Sequence, residues 1–585
     1  MNNRETAQQK AMECFLNCYV RETSSGLVKS GTLHIPLPRQ GAEIKAPLKY
    51  YSITERHLYS FPILYRLNQD AKWHKADVVI LASLLAKELS LDSQNAEHAA
   101  VQELMKRVLL SVENMELFLD ERQGERSSLY CPKRHFLDSE QSLLFGHLLH
   151  PTPKSRQGMD EKNTCLYSPE TKGKFPLHYF LVHESLAEVE GDEAVSAAWA
   201  LLSNQEREAI RHMEEFYLFP LHPLQAKHLL EDNGVRKLIK EELFIDLGMM
   251  GEEVSATSSI RTVYNEKADY MWKLSIPVKV TNSLRVNKKK ELTRGRVVND
   301  ILDSEIGTQL KTFFPEFYVI RDPAYLALKG EKESGFEVVI RENPFQSDSE
   351  ETTLIAGLCQ DALPEESNHL QRIIERIAAK ENRKTEQVSV DWFQQYLDIS
   401  IKPLLWLYFI HGIGLEAHQQ NAVLKMREGY PCMFYYRDNQ GYYFAESKLD
   451  YLQRMVPDIK DKSDTVCTDE LIDERLRYYI FFNHLFGLIN AFGASGLVQE
   501  EVLLYQLRQE LMNMLPLADQ SQSELVQTLL HQKTLPSKAN LLTRVHNMDE
   551  LVGSLASQSV YTAVHNPLVS REVQSVGTNE TSIRA

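Results

Sequence analysis

Residues His411–Leu424 read HGIGLEAHQQNAVL, and the apolar, helix-like run PLLWLYFI (Pro403–Ile410) leads into them. The polar cluster Glu416, His418, Gln419, Gln420 and Asn421 sits in the middle, followed by the short apolar exit AVLK. Next come the β-rich MFYYRD, the turn residues Asn439-Gln440-Gly441, and YYFAE, a pattern that predicts a hairpin over 432–446 with Asp438 closing its first strand. An amide oxygen at Asn421 and a carboxylate at Asp438 on neighbouring loops form a hard-oxygen donor set. Such a set suits Mg²⁺ carrying nucleotide phosphates and points to ATP chemistry. The chain has neither a Walker A sequence nor a glycine-rich fingerprint.

Outward from this stretch, residues 386–585 read as mainly helical, with helical periodicity over 391–411, 471–492 and 497–515 and a polar tail after Ser570. Residues 131–385 carry β signals at Ala268–Thr281 (ADYMWKLSIPVKVT), one long strand or two abutting ones with Pro277 at an edge or bulge, and at Glu337–Arg341. A polar helix near 365–385 leads out of that region. Residues 1–130 predict a helix near 5–22, short strands at Thr32–Pro36 and Leu48–Ile53, and two amphipathic helices over about 74–93 and 96–120. The polar turn Glu121–Ser128 is a candidate boundary.

At 585 residues the chain is too long for one core. A net charge of -16 argues against general nucleic-acid binding and requires a locally basic pocket for any anionic substrate. No run approaches the roughly 18–20 apolar residues of a membrane span. The N-terminus reads as an amphipathic helix rather than an export signal. The seven cysteines are scattered without a CxxC, which indicates neither a disulfide framework nor a zinc ribbon and fits a reducing cytoplasm.

Three further segments concentrate polar chemistry. EQSLLFGHLLHPTPKSRQG (Glu140–Gly158) crowds His147, His150, Lys154 and Arg156 onto a loop stiffened by Pro151 and Pro153, as an anion site would; an ordinary surface loop offers the same residue types. FPLHPLQAK (Phe219–Lys227) sets His222 before Pro223, which reads foremost as a helix entry with a capping histidine. TSSIRT (Thr257–Thr262) offers Ser258, Ser259, Arg261 and Thr262 as hydroxyls, backbone N–H groups and a guanidinium, a phosphate cradle. Lys273 and Arg285 continue it at even spacing, and Lys273–Arg296 holds basic residues at 273, 279, 285, 288, 289, 290, 294 and 296 against the single acid Glu291. Asn483-His484, alone in an apolar helix, reads as a satisfied core pair.

Taken in order, these segments resemble those of the NRPS-independent siderophore (NIS) synthetases, the IucA/IucC family. The resemblance rests on GHLLHPTPKSRQG, PLHPLQ, TSSIRT with KLSIPVKVTNSLR, LEAHQQN with Arg437-Asp438, NHLFGLI and SKANLLTR, and spans about 130–570. Two positions depart from the family pattern: Leu148 stands for a proline and Ser537 for an alanine. The resemblance implies an α+β cupped hand: an N-terminal thumb (1–130), β-containing fingers (131–385) and a mainly helical palm (386–585) with a C-terminal FhuF-like region. It implies ATP and Mg²⁺ as cofactors and adenylation of a carboxylate of citrate, a citrate derivative or 2-oxoglutarate, with an amine or alcohol then displacing AMP. It assigns ATP to Ser258, Ser259, Arg261, Thr262, Lys273 and Gln420, and the metal to Asn421, Asp438 and Glu416. The acid falls to His150 and Arg285, with His147, Lys154 and Arg156 in the same pocket, more weakly Lys538, and His418 beside the triphosphate. Arg285, His150 and His418 are the expected catalytic residues. Homodimers are frequent in the family, so a homodimer is an expectation; nucleic acid and membrane partners are not.

Two other classes use parts of this pattern. A kinase-like phosphotransferase also holds Mg²⁺ with an Asn and a downstream Asp, but needs a catalytic-base Asp before Asn421, where the chain reads EAHQQN. An iron–sulfur reductase needs clustered cysteines, whereas Cys432 and Cys467 stand far apart.

Overall fold

The computed structural model describes residues 2–67, 72–92, 98–280, 283–546 and 559–569, and the tail after Ser570 lies outside them. The first helix, Asn3–Thr23, starts where the Asn2 side chain accepts from the Glu5 N–H at 2.7 Å. It packs on the helices Val78–Asp92 and His98–Glu121, and with them on a six-stranded sheet drawn from Leu27–Lys75. In the strand Thr32–Leu37 burial alternates, so Leu33, Ile35 and Leu37 enter this core while the intervening residues face outward. Leu541 and Val545, from the far end of the chain, close the same core. The expected strand over Leu48–Ile53 ends at Tyr50, and the expected boundary at 121–128 is two short 3₁₀ turns.

The middle of the chain builds an eight-stranded antiparallel sheet around a core of Phe180, Phe219, Trp272 and Phe336. The segment 268–281 does not run through it as one strand. Tyr270–Lys273 belongs to the large sheet, while Lys279–Val280 joins a small sheet with Arg156–Gln157 and Ser283–Leu284. Leu274–Val278 bridge the two sheets, with Pro277, which has no N–H to give a ladder, in the gap.

The expected hairpin over 432–446 is not formed. Tyr430–Tyr436 pairs instead with Ala422–Arg427 and, in parallel, with Phe317–Val319. Tyr442–Ala445 pairs with Ile413–Leu415 in another sheet. The turn survives, Gly441 N–H donating to the Asp438 carbonyl at 3.1 Å, but the chain diverges after it and each aromatic strand pairs with a buried apolar strand elsewhere. The run 391–411 is two helices, Thr385–Ile399 and Ile401–His411, broken at Ser400 three residues before Pro403, so that the proline falls in the first turn of the second helix, where its missing N–H costs no helical hydrogen bond. Gly412 ends the second helix at φ +67, where its N–H reaches the Tyr408 carbonyl. The run 471–492 contains a π-helical segment, Arg477–Leu485, carrying Asn483 and His484. Proteins often place such wide turns at functional sites. The result is a mixed helix-and-strand protein with three large apolar cores.

Candidate active site

The TSSIRT loop is the tight connection between the strands Phe244–Ala256 and Thr262–Tyr264. Thr257 N–H donates to the Thr262 carbonyl at 2.9 Å, and Thr262 N–H donates to Ser259 Oγ at 3.1 Å. Ile260 is buried at φ +57 in this loop. A β-branched side chain rarely adopts that backbone, at a cost on the order of 1–3 kcal/mol, and such residues cluster at functional sites. Ser258 in this loop meets the LEAHQQN segment through Gln420, while Ser259 braces the loop from within.

Cross-strand register then sets Lys273 opposite Thr262. Lys273 Nζ lies 3.4 Å from Asp438 Oδ1, and Asn421 Nδ2 donates to Asp438 Oδ2 at 3.3 Å. Burial pushes the Lys273 ammonium down to about 8. Burial also works against the Asp438 carboxylate, but the Lys273 and Arg341 charges outweigh it and hold the group well below the usual carboxylate range. Burial keeps the His418 imidazole neutral, at about 3. Arg261 donates to Asn287 Oδ1 at 2.9 Å and to Gln440 Oε1 at 3.3 Å, so the cradle reaches across to the turn beside Asp438.

Glu140 and Arg437 join the two halves. The Arg437 guanidinium pairs with the fully buried Glu140 carboxylate and also donates to the Gln420 carbonyl at 3.0 Å and to Ser258 Oγ at 3.2 Å. Ser258 N–H in turn donates to Glu140 Oε2 at 2.8 Å, and Gln420 Nε2 to Ser258 Oγ at 3.2 Å. The structure thus brings together Ser258, Ser259, Arg261, Thr262, Lys273, Gln420, Asn421 and Asp438. His418 lies in the same loop, its Nδ1 accepting from Gln420 N–H at 3.2 Å. Sequence reasoning missed the roles of Glu140, Asn287 and Gln440, whose partners lie 297, 26 and 179 positions away along the chain.

The other expected residues are placed differently. Lys154 and Arg156 are buried cations that share one carboxylate, Glu170, at 2.5 and 2.6 Å. The anion that this loop gathers is therefore a protein side chain, which corrects the expectation that both cations face an open acid pocket. Glu416 is not aimed at a metal either: its carboxyl accepts the Tyr443 hydroxyl and burial pushes its pKa up. His147 and His150 lie with their rings 6.2 Å apart, each Nδ1 accepting a backbone N–H two residues on at 3.1 Å. Arg285, half-buried, extends the small sheet through Arg285 N–H to the Val278 carbonyl, and that sheet also holds Arg156. Lys538 closes the strand Thr534–Lys538, with its ammonium 5.7 Å from the Tyr478 ring centroid. His222 caps the helix Pro223–Glu231, accepting from Leu224 N–H at 3.1 Å, as its sequence context predicts. Asn483 and His484 are satisfied and buried, yet both grip the site loop: His484 Nδ1 donates to the Ala417 carbonyl at 2.6 Å, and Asn483 Oδ1 accepts from Gln419 N–H at 3.2 Å.

Glu170 carries a stability consequence. Burial disfavours its charge, but Arg156 and Lys154 outweigh that and pull its pKa from 4.5 to about 2. A depressed carboxyl stabilises the fold above the unfolded value and loses that contribution as the pH falls through the folded one. Unfolding measured between pH 5 and 2 is therefore expected to show a fall in stability that Glu170→Gln lacks. At neutral pH, Glu170→Gln strands two buried cations and is expected to cost about 3–5 kcal/mol by denaturant melt.

Among the described residues no three His, Cys, Asp or Glu side chains cluster as a cage for a metal ion, and no helix is long and apolar enough to cross a membrane. An ionised Asp438 is a ligand for an ion that arrives with phosphate oxygens, since Mg²⁺ is commonly held by one or two carboxylates plus substrate phosphates; the Asn421 amide beside it turns its Nδ2 to the carboxylate.

A strained hydroxyl loop, two buried cations and an ionised carboxylate on facing turns have the chemistry to hold a phosphate-bearing substrate. Among known proteins, the model of the IucA / IucC family matches residues 135–360, and that of the Ferric iron reductase FhuF-like transporter matches 390–553. Spermidine-citrate ligase of Bacillus anthracis is 42% identical over 607 aligned positions, covering 97% of this chain and 99% of the relative. The rhizobactin siderophore biosynthesis protein RhbC of Rhizobium meliloti (strain 1021) is 36% identical over 583 positions, covering 96% and 97%. The ATP-bound aerobactin synthetase IucA from a hypervirulent pathotype of Klebsiella pneumoniae superposes with a TM-score of 0.88 at 26% identity, covering 96% of this chain and 100% of that one. The protein is an ATP-dependent ligase of siderophore biosynthesis. It belongs to the IucA/IucC family of siderophore synthetases.

Proposed function

We propose that this enzyme adenylates a carboxylate of citrate and transfers the citryl group to an amine, with a polyamine as the first nucleophile to test. The observation that carries the reading is the facing arrangement of Arg261 and Lys273 against Asp438 and Asn421 across one gap. The relative named spermidine-citrate ligase supports the choice of acid and amine. The substrate carboxylate oxygen attacks the α-phosphorus of ATP; the bond from that phosphorus to the bridging oxygen breaks, and pyrophosphate leaves. The amine nitrogen then attacks the acyl carbon, loses a proton, and AMP leaves with the former carboxylate oxygen. No covalent bond to the protein is needed, so the residues act by positioning and charge.

Ser258, Ser259 and Thr262 supply donors to phosphate oxygens, and Arg261 and Lys273 offset their charge. Gln420 anchors the Ser258 hydroxyl. Asp438 and Asn421 would hold Mg²⁺, which when bound neutralises charge on the leaving pyrophosphate. Arg285 and His150 orient the acid, with His147 on the same loop, and the neutral His418 lies beside the phosphates. The three apolar cores support a division into thumb, fingers and palm in a cupped hand, although the sheet of Thr352–Leu354 with Ala422–Arg427 spans the joint at 385. Seven unpaired thiols fit a cytoplasmic enzyme, and a homodimer is the expected assembly.

Pyrophosphate release across citrate, 2-oxoglutarate and citryl-amides, each with a panel of polyamines and amino acids, tests the reading. AMP as the nucleotide product supports it, whereas ADP makes the enzyme a phosphotransferase. Arg285→Lys keeps the charge but loses the fork that can hold a carboxylate bidentately, and is expected to lower turnover with citrate about 10²-fold without altering the melting temperature. Near-normal turnover would remove Arg285 from the acid site.

A further inference from the structure

A small, partly open cavity lies behind the site, between the N-terminal helix and the π-helical segment. Arg21, Thr54, Arg56, His147, Leu148, Leu149, Gln419, Phe482, Asn483, Phe486 and Gly487 line it. Two arginines and a histidine face this space and no acid does, in a chain of net charge -16. The Arg56 charge is answered by Asp361 at 2.5 Å, and its other arm donates to Asn490 at 2.8 Å. Arg21 is not answered in this way. It is only 6% exposed; its guanidinium donates to the Ser537 hydroxyl at 3.4 Å and lies over the Phe482 ring at 4.7 Å. Glu55 and Glu22 act on it through their fields, but among the described residues no carboxylate comes within the 4.0 Å of an ion pair. The place of Arg21 in the last turn of the helix Asn3–Thr23 favours the charge, while burial opposes it.

The far wall of the cavity is the site loop itself. Gln419 lies between His418 and Gln420, and its side chain donates to the Asn483 carbonyl at 2.6 Å. The loop sits so close that a Cβ on Gly487 would meet Gln419 Nε2 at 2.1 Å. Asn483 Nδ2 also lies 2.8 Å from His147 Nε2, so one residue touches both the acid-side histidine and the phosphate-side loop.

We propose that this cavity is a carboxylate subsite, in which Arg21 grips a carboxylate group of a substrate other than the one being activated. The inference rests on the reading of the neighbouring site as acid-activating. The group has two sources of the same chemistry: a second carboxylate of a polycarboxylic acid, or a carboxylate borne by the amine. Gripping it would fix the acid by a group that takes no part in the reaction, which is how remote binding energy is used for orientation.

The test is calorimetric titration of the full-length protein with citrate, with the monocarboxylate propionate, with an amine bearing a carboxylate and with spermidine, alongside acid-dependent pyrophosphate release. Arg21→Gln is expected to weaken citrate binding at least tenfold, to leave ATP binding unchanged, and to be partly rescued by Arg21→Lys. An effect confined to the carboxylate-bearing amine assigns the subsite to the nucleophile and still supports it. Wild-type binding of both ligands by Arg21→Gln overturns it, as does failure of the wild type to bind either. If Arg21→Gln does not fold, Leu149→Phe, which fills the space and leaves the charge, must weaken the same ligand tenfold, and unchanged binding overturns the inference. Absence of pyrophosphate release with every acid would refute the adenylation reading alone, since the titrations report on the cavity independently.

Discussion

Asp438→Asn is expected to reduce acid-dependent pyrophosphate release by about 10³-fold, the scale on which a single well-placed electrostatic group acts in a water-excluded site. The Lys273 and Arg341 charges outweigh burial at Asp438 and hold its carboxylate well below the usual range, whereas burial pushes the Glu416 pKa up. The asparagine keeps the volume and an oxygen, so the turn should persist; Gly441 N–H reaches the residue's main-chain carbonyl, and the Tyr436 hydroxyl donates to that same oxygen at 2.9 Å. The loss has two parts. A metal arriving with ATP would meet a neutral ligand, and Lys273, buried with its carboxylate partner gone, would be driven further toward its neutral form. Both weaken the hold on the triphosphate, so the fall should appear in turnover and in the KM for ATP together. A variant retaining a third or more of the wild-type rate would take Asp438 out of the metal and phosphate end.

The second large effect concerns the joint between the two halves. Glu140→Gln leaves the Arg437 guanidinium buried beside a neutral amide, and is expected to cost about 3–5 kcal/mol of stability in a denaturant melt. Adding Arg437→Met removes the stranded charge, so the double variant should regain most of that loss, giving a coupling energy well outside simple additivity. Its activity should not return, because Ser258 Oγ and the Gln420 carbonyl both lose their Arg437 donors. Stability and KM for ATP measured on the three variants separate a joint that only holds the fold from one that also sets the phosphate cradle. Recovery of wild-type KM in the double variant would reduce Glu140 and Arg437 to packing.

Much of the local structure was written in short windows of sequence. The N-terminal helix over 3–23, the helix entry at His222-Pro223, the helix over 369–381 and the pair of helices after residue 77 follow from caps, prolines and apolar spacing, each of which acts within about one or two helical turns. The ordered polar blocks also marked which residues would meet, since Ser258, Arg261, Lys273, Gln420, Asn421 and Asp438 do converge. Partner choice was beyond that reach. The strands 430–436 and 442–445 looked like a hairpin because the turn between them is locally sound, yet each pairs elsewhere. Lys154 and Arg156 looked like ligands for a substrate because nothing in their own loop neutralises them, and Glu170 does so from outside it.

Short windows of sequence carry the family, the helix and turn punctuation, and most of the polar residues that converge at the candidate site. The folded chain alone shows which cations are already paired with Glu170, Glu140 and Asp361, and that Arg21 faces a cavity with no carboxylate of the described residues at ion-pair distance. Propensity and capping act between neighbours along the chain. The pairing of a buried charge is settled across separations such as the 297 residues between Glu140 and Arg437, where only the folded chain brings the groups together.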